Sequence, residues 1–340
     1  MNKSISNIIK FVIFLALGIL LIWLSLKDLT SQERTDIIAS FKSVNYYWVL
    51  LSVLSGILSH LIRANRWRRL LAPMNYRPSL KNMFLATMVG YFANLAIPRL
   101  GEVSRCGILL KTDKIPISKS FGTIIAERVF DLIIFILIFI ATVFIEHKRI
   151  GNYLNTNIYP KLSEKFAVFT EYNFIFILFG IIVIIVVLYL IFRKYLNENI
   201  LFSKIKEIIK GFWHGLKSLF LIKNPLLFLL ETIAIWVLYF FMIYLCFFAF
   251  ADTSNLTLGA GLAALIIGAI GIMVTPGGIG LYPILIQETL KLYTIAKVTG
   301  LALGWVVWSA QTLMIVIVGS ISLILISFSA KKNVTTQAEK

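Results

Sequence analysis

Hydrophobic residues in this chain come in long blocks. Apolar stretches lie at 11–26, 46–62, 121–145, 173–192, 225–250 and 300–329. Each is close to the 17–25 residues that cross about 30 Å of hydrocarbon, and the last two are long enough to tilt. Two further stretches, 82–97 and 256–274, each run into a break. The first break reads Asn94-Leu-Ala-Ile-Pro98-Arg99-Leu-Gly101-Glu102, and the second reads Val274-Thr275-Pro276-Gly277-Gly278-Ile279-Gly280. Backbone groups freed at a break find no water in hydrocarbon, so protein or a wet cavity must surround them. Paired breaks in matching positions of two halves point to a site built from broken helices. The pattern therefore predicts an all-α polytopic membrane protein. It has about six to eight transmembrane helices and two re-entrant hairpins, over 82–118 and 256–298, with 256–274 long enough to span as the alternative.

Composition agrees. Hydrophobic residues make up 59% of the 340 and charged residues 14%, outside the range of soluble domains. The net charge of +17 sits largely in loops beside apolar spans, where it sets topology and meets anionic headgroups, so nucleic acid is not an expected partner. Residues 63–81 carry Arg63, Arg66, Arg68, Arg69, Arg77 and Lys81, and residues 99–120 carry Arg99, Arg105, Lys111, Lys114 and Lys119. Both should be cytoplasmic, which requires a re-entrant first hairpin. The same rule puts both termini in the cytoplasm and Tyr153 and Asp252 outside. Lys3 and Lys10 precede the first apolar run with no small-residue cleavage site after it, which reads as an uncleaved anchor.

The expected organisation is a single membrane domain, 1–340, built as an inverted repeat. The first half is 1–150 and the second begins at 151–197 and resumes at 223–330. The offset between Pro98 and Pro276 maps Tyr46 onto Asn224, Phe121 onto Thr299 and Ile145 onto Leu323, each near a span boundary. In 198–222, Ile205, Ile208, Ile209, Phe212, Trp213, Leu216 and Leu219 recur at helical spacing opposite a Lys-rich face, as in an interfacial helix. Residues 331–340 read as a polar tail.

Charge inside a span marks the candidate chemistry. Glu127, Arg128 and Asp131 lie within five residues of one span, and each such charge costs roughly 2.5–3.5 kcal/mol on insertion scales. Arg128 reaches Asp131 at i+3. Arg99, Glu102 and Arg105 of the first hairpin are the nearest partners in sequence. The six form either an ion-pair network that locks hairpin to helix or a polar cavity for a zwitterionic or anionic headgroup, and the two can coexist. Most of the cluster after span 46–62 reads as a surface topology signal, with Trp67 in the interfacial belt and Arg63 and Arg66 near enough to face a cavity. The second break offers backbone N–H groups that can bind an anion or, alternatively, a tight tip for close packing. Glu231, Gln311 and Glu288 read as polar residues satisfied by neighbouring helices. Trp305 and Trp308 read as belt residues or cavity walls. His60, His147 and His214 lack metal-ligand spacing, and no cofactor is expected.

Asn94-x3-Pro98-Arg99-x-Gly101-Glu102-x2-Arg105, then Glu127-Arg128-x2-Asp131, then Pro276-Gly277-Gly278-x-Gly280 resemble the transmembrane region of lysylphosphatidylglycerol synthetases and their stand-alone relatives. The resemblance covers about residues 8–328. Two positions depart from it: Tyr282-Pro283 stands where relatives carry an acidic residue, and Trp308 where they often carry arginine. The resemblance implies a flippase-like translocator of a polar-headgroup lipid, anionic or aminoacylated, in the bacterial cytoplasmic membrane, without the soluble synthetic domain and without enzymatic activity. Headgroup candidates are Arg63, Arg66, Asn94, Arg99, Glu102, Arg105, Glu127, Arg128 and Asp131, with Pro98, Gly101, Pro276, Gly277, Gly278 and Gly280 shaping the hairpins. Partners to expect are a phospholipid or polyprenyl-linked lipid and a second copy or a lipid-modifying enzyme. The alternative reading is a membrane-embedded transferase or an accessory scaffold.

Overall fold

The computed structural model describes residues 30–97, 99–153, 222 and 224–338. The expected spans 11–26 and 173–192 and nearly all of the amphipathic segment 198–222 lie outside the described residues, as does Pro98. Ten described α-helices are α1 Ser31–Ser43, α2 Tyr46–Leu71, α3 Leu80–Ala96, α4 Leu100–Asp113, α5 Ile117–Ile145, α6 His147–Tyr153, α7 Pro225–Phe247, α8 Leu258–Val274, α9 Leu281–Lys291 and α10 Lys297–Ala338. Four are long and apolar enough to cross a membrane: α2, α5, α7 and α10. The protein is an all-α polytopic membrane protein. Only 11% of the most apolar window of α5 is buried, and Leu132, Ile136, Phe139, Ile140 and Val143 project outward. That face is the lipid-facing surface such a fold must present.

Local chemistry sets the helix ends. Asn45, Ser79 and Thr257 cap α2, α3 and α8 by accepting hydrogen bonds from Tyr47, Asn82 and Ala260 N–H groups. Pro225 opens α7 in the first turn, where its missing N–H costs nothing. α2 continues nine residues past the expected end at 62, so Arg63 to Arg69 lie inside the helix rather than in a loop. α10 continues through the polar residues expected as a separate tail after 330, and α6 crosses the expected boundary at 150.

α2 lies antiparallel to α7: Asn65 meets Glu231 near one end and Ser52 meets the Met242 carbonyl toward the other. α5 runs alongside α7, with Phe130 on Phe228 and Phe135 on Trp236. Between these spans sit two hairpins. α3 and α4 begin and end at the Leu71 end of the bundle, where Asn82 donates to Asp113. α8 and α9 begin and end at the opposite face, where Asp252 accepts from Thr299 and Gly259 lies against Glu146. Both hairpins re-enter, from opposite faces. Their tips meet inside the bundle, where Leu95 packs against Gly277. Two hydrophobic cores flank this junction, one around Trp67, Met83, Leu109 and Phe228, the other around Phe247, Ile286, Leu303 and Val307.

Candidate functional site

At the first break, Ile97 is extended and Arg99 takes the left-handed conformation at φ 66°. The Asn94 side chain then accepts from the Gly101 N–H at 2.6 Å, satisfying a donor left free at the start of α4. A Cβ on Gly101 would overlap the Gly90 carbonyl, so only glycine lets the two hairpin arms approach this closely. The close approach brings the face of α4 that carries Glu102 and Arg105 against α5.

A buried ion-pair cluster joins three helices there. Arg63 pairs with Glu127 and lies 2.7 Å from Asp131. Arg66 reaches Asp131 at 2.8 Å and Glu127 at 3.4 Å, and Arg105 reaches Glu127 at 3.0 Å. Arg66 is fully enclosed, and Glu127 is 1% exposed. Neutral groups add contacts: Arg63 donates to the Tyr239 hydroxyl at 3.1 Å, Arg66 to Thr232 at 3.1 Å, and the Arg105 guanidinium lies 4.0 Å from the Trp67 ring centre. Helical spacing explains the convergence. Arg63 and Arg66 share one face of α2 and Glu127 and Asp131 one face of α5, each pair about one turn apart.

Several sequence expectations are corrected. Trp67 is not an interfacial belt residue. It is fully buried and donates to Thr123 at 2.8 Å, because α2 carries it into the bundle. Arg128 does not pair with Asp131. Its side chain is 48% exposed and binds Glu102 at 2.9 Å, since α5 turns it toward α4 while Asp131 faces α2. Arg99 sits exposed at the break and takes no part in the cluster. At the second break, the Gly278 and Ile279 N–H groups close on the Thr275 and Pro276 carbonyls, so neither is free to hold an anion. The second break is anchored by Trp308, whose indole N–H donates to the Gly277 carbonyl at 2.7 Å, and Gly277, Gly278 and Gly280 all have positive φ. Glu231 is satisfied across helices by Asn65 and Arg69 and Glu288 within its own helix by Lys291, whereas Gln311 donates its amide to Ser52 and leaves its Oε1 without a partner.

A narrow cleft of about 10 Å³, room for about one water molecule, lies beside the cluster, lined by Thr87, Gly90, Tyr91, Asn94, Gly101, Glu102, Arg105 and Arg128. Tyr91 and His60, whose ring packs against it with centres 4.5 Å apart, are not marked by the sequence reading. The available signal was the run of small and polar residues Ser52, Gly56, Ser59, His60, Arg63 and Arg66, at spacings of three and four in an otherwise apolar span. Among the described residues, no three His, Cys, Asp or Glu side chains group as metal ligands.

Two re-entrant broken helices meeting beside a buried arginine–carboxylate cluster define a polytopic membrane protein with a polar site in its interior. The family model for the lysylphosphatidylglycerol synthase TM region matches residues 7–319, and the chain belongs to that family. Over 97 residues it is 33% identical to the UPF0104 membrane protein MJ1595 of Methanocaldococcus jannaschii, a match spanning 28% of this chain and 29% of that protein. No solved structure matches.

Proposed function

We propose that the protein translocates a lipid with a phosphate-bearing headgroup across the cytoplasmic membrane, using the cleft at the first hairpin as its headgroup site. One observation carries the reading. Three buried guanidiniums, Arg63, Arg66 and Arg105, face two carboxylates, Glu127 and Asp131, inside a hydrocarbon-embedded bundle. A buried surplus charge is expensive without a counter-charge, and a headgroup phosphate entering beside Arg105 supplies one. Arg105 lines the cleft and belongs to the cluster, so it is the residue that would touch phosphate first, with Arg128 at the rim. Membership in a lipid-synthase membrane-region family supports a lipid rather than a soluble anion. In this reading the basic ends of α2 and α4 and both termini face the cytoplasm, which cysteine labelling in intact cells tests.

The deciding experiment reconstitutes the protein in liposomes and follows exchange of labelled lipids between leaflets. Wild-type protein should accelerate exchange of at least one anionic, zwitterionic or polyprenyl-phosphate lipid, and Arg105→Gln should abolish most of that acceleration while keeping a monodisperse fold. Exchange at the protein-free rate across the whole panel would overturn the proposal.

A further inference from the structure

Among the described residues, seven buried side-chain polar atoms have no hydrogen-bond partner: both ring nitrogens of His60, Nε of Arg66 and Arg105, Oε2 of Glu102, Nε1 of Trp236 and Oε1 of Gln311. They are not scattered. Two belong to the charge cluster, Glu102 lines the cleft beside it, and Trp236 stands 5.8 Å from Tyr239, which is bonded to Arg63. His60 and Gln311 extend the series away from the cluster along the inner stripe of α2.

The stripe can be followed turn by turn. His60 is 4% exposed, one turn from Arg63, and its ring packs against the cleft residue Tyr91. One turn further, Gly56 has no side chain, and a Cβ there would lie 2.8 Å from Gln311 Oε1. The same Cβ would lie 2.9 Å from the Met314 methyl and 3.5 Å from the Met242 methyl. One more turn brings Ser52, which accepts from Gln311 Nε2 at 3.0 Å and donates to the Met242 carbonyl. At 1.5 Å of rise per residue, Ser52 to Arg63 covers about 16 Å, roughly half of the hydrocarbon thickness.

An unpartnered buried polar group is costly, and hydrocarbon offers no relief. Polar groups one helical turn apart can be bridged by single waters. Methionine side chains turn about three bonds and shift at little cost. We propose that the inner stripe of α2 is a water-access path, running from the Ser52–Gln311 pair past His60 to the charge cluster, and that the methyl groups of Met242 and Met314 over Gly56 form its gate. The path rests on the translocation reading for its purpose. It gives the headgroup site a second, aqueous approach on the side away from the hairpin cleft, which a site that releases its charge toward the opposite face requires. The species that enter are water and solutes of similar size, because the stripe is enclosed by α2, α7 and α10 and no acyl chain need follow it.

Millisecond hydroxyl-radical footprinting by X-ray radiolysis tests this on the full chain in nanodiscs, with oxidation located by mass spectrometry. Met83 and Met88 are fully buried, lie off the stripe and serve as internal controls. The expected result is oxidation of Met242, Met314 and His60 several-fold faster than of Met83 and Met88. In the double variant His60→Phe/Gln311→Leu, oxidation of Met242 and Met314 should fall to the rate of the controls. Equal rates for Met242, Met314, Met83 and Met88 in wild-type protein would overturn the path. So would an unchanged Met242 and Met314 rate in a double variant that remains folded by size exclusion. Footprinting reads water alone, so a protein that shows the path yet exchanges no lipid removes the translocation reading and leaves the path standing.

Discussion

The two hairpins use one backbone device and fill it with different chemistry. Each arm ends in an extended residue, Ile97 or Thr275, followed by a left-handed one, Arg99 at φ 66° or Gly277 at φ 61°. Beyond that they diverge. The first hairpin is tied by side chains: Asn94 to Gly101 across the break, Arg105 to Glu127, Glu102 to Arg128. The second is tied at its backbone: Gly278 N–H to the Thr275 carbonyl, and Trp308 to the Gly277 carbonyl. A broken helix therefore needs no charge to persist in this bundle. The charges of the first hairpin require a reason beyond stability, and headgroup chemistry is the one proposed. The difference also says where substitutions should hurt.

The largest effect is expected at Glu127. It is the shared partner of Arg63, Arg66 and Arg105, and Glu127→Gln leaves Arg105 with no carboxylate and Arg63 and Arg66 with Asp131 alone. Removing one partner of a buried pair costs about 3–5 kcal/mol, so the variant should show a steep loss of thermal midpoint and of folded yield in detergent. A midpoint within a degree or two of wild type would mean that the cluster is solvated and not a buried pair network.

The glycines sharpen the contrast. At Gly101 a new methyl meets the Gly90 carbonyl, which is backbone and cannot yield, whereas at Gly277 it meets only the movable end of Leu95 at 2.7 Å. Gly101→Ala should cost about 2–3 kcal/mol through overpacking at the hairpin contact. Gly277→Ala should cost about 1–2 kcal/mol, the usual penalty for a left-handed residue with a Cβ. Thermal midpoints measured side by side by fluorescence-detected size exclusion would rank them, and the reverse order would break the comparison. Smaller again is Trp308→Phe. The ring volume is largely kept and the bond to the Gly277 carbonyl is lost, for about 1 kcal/mol.

Much of this was legible before the structure, for physical reasons. Span positions follow from length and hydropathy, and re-entry of the first hairpin follows from basic residues on both of its flanks. The clustering of Arg105, Glu127 and Asp131 follows from the cost of charge in hydrocarbon. What was not legible is which way each helix turns. Sequence gives Arg128 and Asp131 as an i,i+3 pair, but packing directs one toward α4 and the other toward α2. Arg63 to Arg69 resemble a cytoplasmic loop because charge usually ends a span. Only Glu127, Asp131 and Glu231, arriving from distant helices, let α2 carry those arginines inward. Trp67 was misplaced for the same reason: a tryptophan at the end of an apolar run suits the interface unless its N–H finds a buried acceptor, here Thr123.

The smallest stability effect makes the sharpest functional cut. Arg99 and Arg105 lie on the same hairpin, but Arg99 is exposed at the break while Arg105 is buried between Trp67 and Glu127. Arg99 holds the left-handed conformation that the second hairpin gives to glycine, at a cost of about 1–2 kcal/mol for a residue with a Cβ. Arg99→Gly removes that strain and adds flexibility to the unfolded chain, so stability should change by less than about 1 kcal/mol. If the headgroup is held by the buried cluster, Arg99→Gly should keep nearly full lipid exchange while Arg105→Gln loses it. A folded Arg99→Gly protein that loses exchange as completely as Arg105→Gln would move the headgroup contact from the cluster to the hairpin tip. Arg99 would then be strained because it serves the ligand, and the chemical difference between the two hairpins would lie at the tips themselves.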